Sequence, residues 1–468
     1  MADSNKFHIV MLPWFATGHM TPFLHLANEL AQRGHRVTYL LPKKALHQLS
    51  HLNRHPHLIA FRLVTIPHVA GLPEGTETAS EIPISLNHLL CAGTDRMQDQ
   101  VEAVLCETQA EFVLHDGVFW LPEMVRKVGN GKMKSVCYNV VCAASLAIGL
   151  VPARKVPKDR ALTLEELANP PPGYPSSKVV LRGNEARSLL FFSLPFGDNI
   201  SFYDRITTAF RESDAIAIRT CKELESPFCD YISAQYQKPV FLTGPILPRH
   251  QNTTHTLSLQ LSLATWLDSF NPSSVIFCAF GSQLNLPKPQ FQQILLGLEL
   301  TGRPFLASLK TPMGCHTIDE ALPEGFEERN KGKGIVSREW VEQPLILEHG
   351  SVGCFVNHCG FGSMWESLMS DKQIVLVPHL GDQILNTKLL VEELEVGVQV
   401  EKDIESDWVS KESVCEAVEK VMDEASEVGR LVRRNHHKWR HVLGKEGFMQ
   451  GYIDGFLNNL RDLASTTR

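Results

Sequence analysis

The sequence predicts an α/β protein of two parallel-sheet domains, and three observations carry that prediction. At 468 residues the chain exceeds what one hydrophobic core serves, so two domains of roughly 200 residues each are expected. Buried-strand runs alternate with helical periodicity from the first residues onward, the pattern of β-α-β units. That pattern dissolves in the polar stretch "KPVFLTGPILPRHQNTTHT", Lys238 to Thr256, and then starts again.

Phe7 to Leu12 is the first apolar run, followed by the loop "PWFATGH". Thr21 and Pro22 offer an N-cap and a first helical position. Phe23, Leu24, Leu26, Ala27, Leu30 and Ala31 recur at three- and four-residue spacing until Gly34 ends the helix, and Arg36 to Leu41 forms the next buried strand. The alternation continues more weakly through Phe112 to Asp116 and Ser213 to Thr220. Val151 to Pro195, rich in proline, charge and isolated aromatics, is an irregular excursion of the kind that forms binding loops or disorder. After the break come a strand from Ser274 to Phe280, a helix from Pro289 to Leu300 and a strand from Pro304 to Lys310. Two further pairs follow, "GCFVNH" into "SMWESLMSD" and "QIVLVPH" into "QILNTKLLVEEL". The expected limits are 1–245 for an N-terminal domain, 246–256 for a linker, 257–440 for a C-terminal domain, and 441–468 for a terminal helix packing back on the first domain. Arg430, Arg433, Arg434, Lys438 and Arg440 read as one solvated helix face.

Composition narrows the partners. Hydrophobic residues at 43% and charged residues at 21% describe an ordinary globular protein. A net charge of -7 with no long basic block gives no electrostatic reason for nucleic acid or an anionic membrane surface as partner. Eleven scattered cysteines form no disulfide framework and suggest a reducing compartment. "FHIVMLPWFA" carries an internal proline and lacks a small-residue cleavage site, so it reads as a strand rather than a signal segment. No apolar run reaches the ~18 residues of a membrane span. A cytoplasmic monomer acting on small, near-neutral ligands is the expectation.

The stretch "FVNHCGFGSMWES", Phe355 to Ser367, concentrates chemistry at one strand-to-helix junction. Ligands of open parallel sheets bind beyond the carboxyl ends of strands. With Gly360 and Gly362 baring backbone N–H groups before a helix expected to begin near Ser363, the junction suits an anion such as a diphosphate. Two other readings stand beside it: Ser363-x-x-Glu366 matches a capping box, and Cys354, His358 and Cys359 are metal-ligand types without a second ligand pair. G-x-G-x-x-G and G-x-S-x-G are both absent from their expected places, against a dinucleotide oxidoreductase and an α/β-hydrolase.

From Trp340 to Gln383, "WVEQPLILEHGSVGCFVNHCGFGSMWESLMSDKQIVLVPHLGDQ" resembles the signature of plant family-1 UDP-sugar-dependent glycosyltransferases. The resemblance extends to "GHMTPFLHLANEL" near the start and "GFMQGYIDGFLNNL" near the finish. It implies two Rossmann-like domains facing each other across a cleft, the GT-B type. It also implies that Trp340 stacks on uracil, the Val341 backbone reads the base edge, and Gln343 and Glu366 hold the ribose. Ser282, His358 and Ser363, with Gly360 and Gly362, would take the diphosphate, and Asp382 and Gln383 the sugar hydroxyls. On this reading Glu366 is a ribose ligand rather than a cap. Two departures, Phe361-Gly362 in place of Trp-Asn and Ser370 to Gln373 in place of a Gly-Val-Pro turn, resemble the branch that adds a sugar to an existing glycoside.

The implied reaction is a single inverting displacement. His19, at the junction after the first strand, would deprotonate the acceptor hydroxyl, with Asp116 holding its tautomer. His115 should face the opposite way, since side chains alternate along a strand. Trp14, Phe15, Phe119 and Trp120 are candidate acceptor-wall residues, each equally at home in a core. The expected partners are a UDP-sugar and a flavonoid, anthocyanin, triterpenoid or steroid glycoside, with no metal and no cofactor. A transferase acting directly on the aglycone, and a nucleotide-sugar epimerase or binding protein of the same architecture, are the alternatives.

Overall fold

Strands apolar on both faces have to be covered on both, which is the situation of a parallel sheet wound with helices. The computed structural model describes residues 6–247, 261–339, 341–403 and 406–466, and it contains two such sheets, one in each of two units. One unit comprises Met1–Pro248 and Glu446–Arg468, the other Arg249–Lys445.

In the first unit seven strands run parallel: β1 (His8–Leu12), β2 (Arg36–Pro42), β3 (Ile59–Val64), β4 (Phe112–His115), β5 (Lys134–Asn139), β6 (Ala215–Ile218) and β7 (Val240–Leu242). Their order is β3-β2-β1-β4-β5-β6-β7, so the winding reverses between β1 and β4. There Leu12 lies beside His115. The helix Thr17–Gln32 after β1 has extended Ala16 as its N-cap, five residues ahead of the expected Thr21. Pro22 is thus inside the second turn, where only its own missing N–H is lost to the ladder. His19 therefore sits in the first helical turn rather than in a loop.

Second-unit strands are β8 (Val275–Ala279), β9 (Phe305–Ser308), β10 (Gly334–Val336), β11 (Val352–Asn357), β12 (Gln373–Leu376) and β13 (Val398–Gln399), in the order β10-β9-β8-β11-β12-β13. All pairings are parallel, and the winding reverses between β8 and β11. The helix after β11, Phe361–Met369, begins two residues before Ser363 because Gly360, with φ -58° and ψ 149°, takes the N-cap. The exposed Arg430, Arg433, Arg434, Lys438 and Arg440 line the outer side of helix Glu427–Leu443, whose Val432 and His436 are buried.

Strands β3, β5, β10 and β13 carry no clear sequence signal. Strand β3 is half exposed, and β10 and β13 are short edges. Strand β5, "KSVCYN", is wholly buried despite its polar residues, which find partners largely in other segments. Ser135 bonds Asp214, Asn139 bonds the Cys137 and Ala217 carbonyls, and Lys134 reaches the Thr466 carbonyl. The excursion from Val151 to Pro195 is ordered. Arg154, 8% exposed, donates to the carbonyls of Ile148, Glu166 and Asn169 and gathers the segment around itself. The terminal helix Phe448–Ser465 places Ile453, Phe456, Leu457 and Leu460 in the same core as β1 and β4. The turn from Gly444 to Gly447 separates it from helix Glu427–Leu443, so the division falls at Glu446 rather than at 441.

Candidate active site

Two groups of polar residues gather at carboxyl ends of strands, one in each unit. In the first, Asp116 is the residue after β4 and His19 stands on the helix that follows β1. Adjacent parallel strands bring the two together across 97 positions, with His19 Nδ1 and Asp116 Oδ2 2.6 Å apart. Since a carboxylate only accepts, Nδ1 carries the proton and the lone pair resides on Nε2. The backbone N–H of Trp14 donates to the same Asp116 oxygen at 3.3 Å, and the Asp116 N–H donates to the Leu12 carbonyl at 3.2 Å. Side-chain exposure is 30% for His19 and 12% for Asp116, enough for a small molecule to reach the imidazole.

Tyr39 on β2 donates its hydroxyl to the Met20 carbonyl at 2.6 Å and so pins the turn that bears His19. Burial, helped by the Asp116 charge, raises the Tyr39 pKa well above its ordinary value, keeping it a donor. His115 faces the other side of the sheet: Nδ1 accepts the Val118 N–H, Nε2 donates to Ser213 Oγ at 3.0 Å, and burial pushes it down to about 3. Of the candidate wall residues, Phe15 is 1% exposed and belongs to the core, which leaves it no surface for a ligand. Trp14, Phe119 and Trp120 are half-buried.

The second group lies beyond β8 and β11. Gly281 and Ser282 follow β8, and His358, Cys359 and Gly360 follow β11. The His358 imidazole occupies space that two glycines leave open: a Cβ on Gly281 would stand 2.9 Å from its Cε1, and one on Gly360 would stand 2.6 Å from its Nε2. Burial pushes His358 down to about 4, opposed by the Ala279 backbone carbonyl. The ring at this junction is therefore a neutral hydrogen-bonding group near pH 7, not a cation. Among the described residues its Nδ1 is buried without a hydrogen bond of ordinary geometry. Cys359 adopts a left-handed φ of 56°, held by Asn357 Oδ1 on its N–H and Asn386 Nδ2 on its carbonyl. Burial raises its thiol to about 12, so it stays protonated. Among the described residues no three His, Cys, Asp or Glu side chains are placed to hold a metal ion.

Gln343 opens the helix Gln343–Glu348 and donates Nε2–H to Glu366 Oε2, with Ser363 Oγ 3.4 Å from the same nitrogen. Ser363 is the third residue of its helix and Glu366 turns to Gln343, so the capping-box reading of this pair does not hold. Ser282, Val341 and Asp382 are half-buried, Gly362 is exposed, and Val341 packs against the core under β8. Gln383 is 5% exposed, and its Oε1 accepts the N–H groups of His379 and Leu380 at 2.9 and 3.1 Å, which shapes the turn before Asp382. Trp340 lies outside the described residues. His379, unremarked in the sequence reading, is held down to about 3 by burial, and its Nε2 is buried without a partner among the described residues. Its position before the Asp-Gln pair was the only signal available.

Residues 258–440 match the family described as "UDP-glucoronosyl and UDP-glucosyl transferase". An anthocyanidin 3-O-glucoside 2'''-O-xylosyltransferase of Arabidopsis thaliana is 53% identical over 467 residues, spanning 99% of this chain and 98% of that relative. UDP-glycosyltransferase 79B9 of the same plant is 54% identical over 462 residues, spanning 99% of each. The crystal structure of Arabidopsis thaliana UGT89C1 complexed with UDP-L-rhamnose shares the fold, with a TM-score of 0.75 at 22% identity over 98% of this chain and 100% of that one.

Proposed function

The chain belongs to the UDP-glycosyltransferase family, and from that premise we propose that it adds a sugar from a UDP-sugar to a hydroxyl of a plant metabolite glycoside, forming a sugar–sugar bond. The named activity of the xylosyltransferase relative, together with Phe361-Gly362 and Ser370 to Gln373, supports the glycoside as acceptor. The observation that carries the chemistry is the 2.6 Å bond between His19 and Asp116.

His19 Nε2 takes the proton of the acceptor hydroxyl while that oxygen bonds to the sugar C1, and the bond from C1 to the UDP oxygen breaks on the opposite face. Configuration at C1 inverts, the proton ends on the imidazole, and Asp116 stabilises the imidazolium. The leaving diphosphate takes hydrogen bonds from the first turn of helix Phe361–Met369, from Ser282 and Ser363, and from His358, whose pKa rises again beside the anion. Backbone dipoles and an imidazole answer the charge, so turnover should survive EDTA. Gln343 and Glu366 suit the ribose diol, and Asp382 and Gln383 Nε2 suit the hydroxyls of the transferred hexose or pentose. Trp340 is assigned to uracil by the motif alone. That none of the eleven cysteines forms a disulfide and that no described helix is long and apolar enough to cross a membrane support a cytosolic protein, proposed here as a monomer.

The test is a matrix of UDP-sugars against glycosylated and unglycosylated acceptors, read by product mass and UDP release. Transfer confined to glycosides is expected. Transfer to bare aglycones alone would make it an aglycone transferase, and UDP release without any acceptor would favour an epimerase or hydrolase use of the site.

A further inference from the structure

Three segments of the first unit meet at a buried ion pair outside the catalytic dyad. Asp95 ends helix Asn87–Asp95 and Arg205 lies in helix Phe202–Glu212, with side chains 9% and 5% exposed. The guanidinium donates Nη1–H to Asp95 Oδ1 at 2.8 Å and Nη2–H to Oδ2 at 2.5 Å, while Nε–H donates to the Phe196 carbonyl at 2.8 Å. Its face lies 4.8 Å from the Phe119 ring centre, and Trp120 donates Nε1–H to Asp95 Oδ1 at 3.1 Å. Gly197, at φ +97°, passes so close that a Cβ would stand 2.1 Å from Arg205 Nη2.

Every arm of this cluster leads to the dyad. Phe119 and Trp120 follow Asp116 by three and four positions. The Phe196 ring, whose carbonyl Arg205 holds, lies 6.2 Å from the ring of Trp14, and the Trp14 N–H bonds Asp116 Oδ2. A buried charge pair is costly to desolvate and is a weak source of stability, but a bidentate fork permits a single geometry. Arginine here joins fork, carbonyl bond and ring face in one side chain.

We propose that the Asp95–Arg205 pair is the positioning clasp of the acceptor site. It fixes Trp14, Phe119, Trp120 and Phe196 around His19 and so decides which hydroxyl of the glycoside acceptor reaches Nε2. The inference rests on the reading of His19 as the base.

Two variants test it. Arg205→Lys keeps a cation beside Asp95 but loses the fork and the bond to Phe196. Asp95→Leu with Arg205→Met removes both buried charges, so neither is left unpaired. Active sites are counted by bound UDP, so unfolded protein does not enter the kinetics. Acceptor KM should rise about tenfold or more and the ratio of regioisomeric products should shift, with UDP-sugar KM within about twofold of the parent. Unchanged acceptor KM and product ratio in the double variant, or equal rises in both KM values, would overturn the clasp. A parent enzyme that glycosylates no acceptor would overturn the functional reading instead.

Discussion

His19 and Asp116 act as one group, because the carboxylate decides which imidazole nitrogen is basic. Replacing His19 by alanine should lower turnover about 10²–10⁴-fold and leave UDP affinity within about twofold, since in the proposed mechanism the base meets the acceptor and not the nucleotide. Asp116→Asn should cost a comparable factor: an amide that donates to Nδ1 selects the tautomer with the proton on Nε2, which cannot accept one. Loss of UDP binding together with turnover, measured by calorimetry, would give His19 a structural role. The buried histidines bear on pH. Burial holds His115 and His379 near 3 and His358 near 4, well below the ~6.5 of an exposed imidazole. Between those values the unfolded chain binds more protons than the folded one, so their contribution is complete above about pH 6.5 and is lost as pH falls, toward 4 for His358 and toward 3 for His115 and His379. The melting temperature should fall through that interval, by about 2–4 °C for each kcal/mol lost in a unit of this size. A flat profile there would mean that these rings are not buried neutral.

In the proposed mechanism helix termini decide the donor side. Gly360 caps Phe361–Met369, and its absent side chain is where the His358 ring sits. Gly360→Ala should displace the ring and weaken UDP binding by about tenfold or more, the scale of a hydrogen bond to a charged group. Gly362, in contrast, faces open space. Gly362→Asn should fold normally and tighten UDP by a similar factor, with Gly362→Ala giving no such gain; fluorescence titration with UDP separates the two. Both strand-to-helix junctions were legible from small residues after apolar runs. Their exact starts were not: Thr21-Pro22 and Ser363 both look like caps, yet extended Ala16 and Gly360 fill that place. Cap choice depends on where the preceding strand releases the chain, and local sequence does not report that. The edge strands β10 and β13 escaped notice because two or three residues show no period, and β5 because its polar residues find partners from other segments.

The chain returns to its first unit at the end. Ile453, Phe456, Leu457 and Leu460 are each 2% exposed or less and join the core beneath β1 and β4. Phe456→Ala should therefore destabilise that unit by about 3–5 kcal/mol, as a buried aromatic truncation does. Hydrogen exchange resolved by segment should show faster exchange in β1 and β4 and unchanged protection in β8 and β11. Equal loosening of both sheets would mean that the two units unfold as one.

From its sequence alone the protein was determined to be α/β, divided in two, with small and polar residues gathered at the ends of particular strands and a family motif running to Gln383. Periodicity and small residues act over a few positions, and those features are local. Only the tertiary structure decided which distant residues meet: His19 with Asp116, Gln343 with Glu366, and Asp95 with Arg205 across 110 positions. It also took Phe15 into the core and made His358 a neutral ring. Burial and partnership follow from which strands become neighbours, and that order is settled by the packing of the whole sheet.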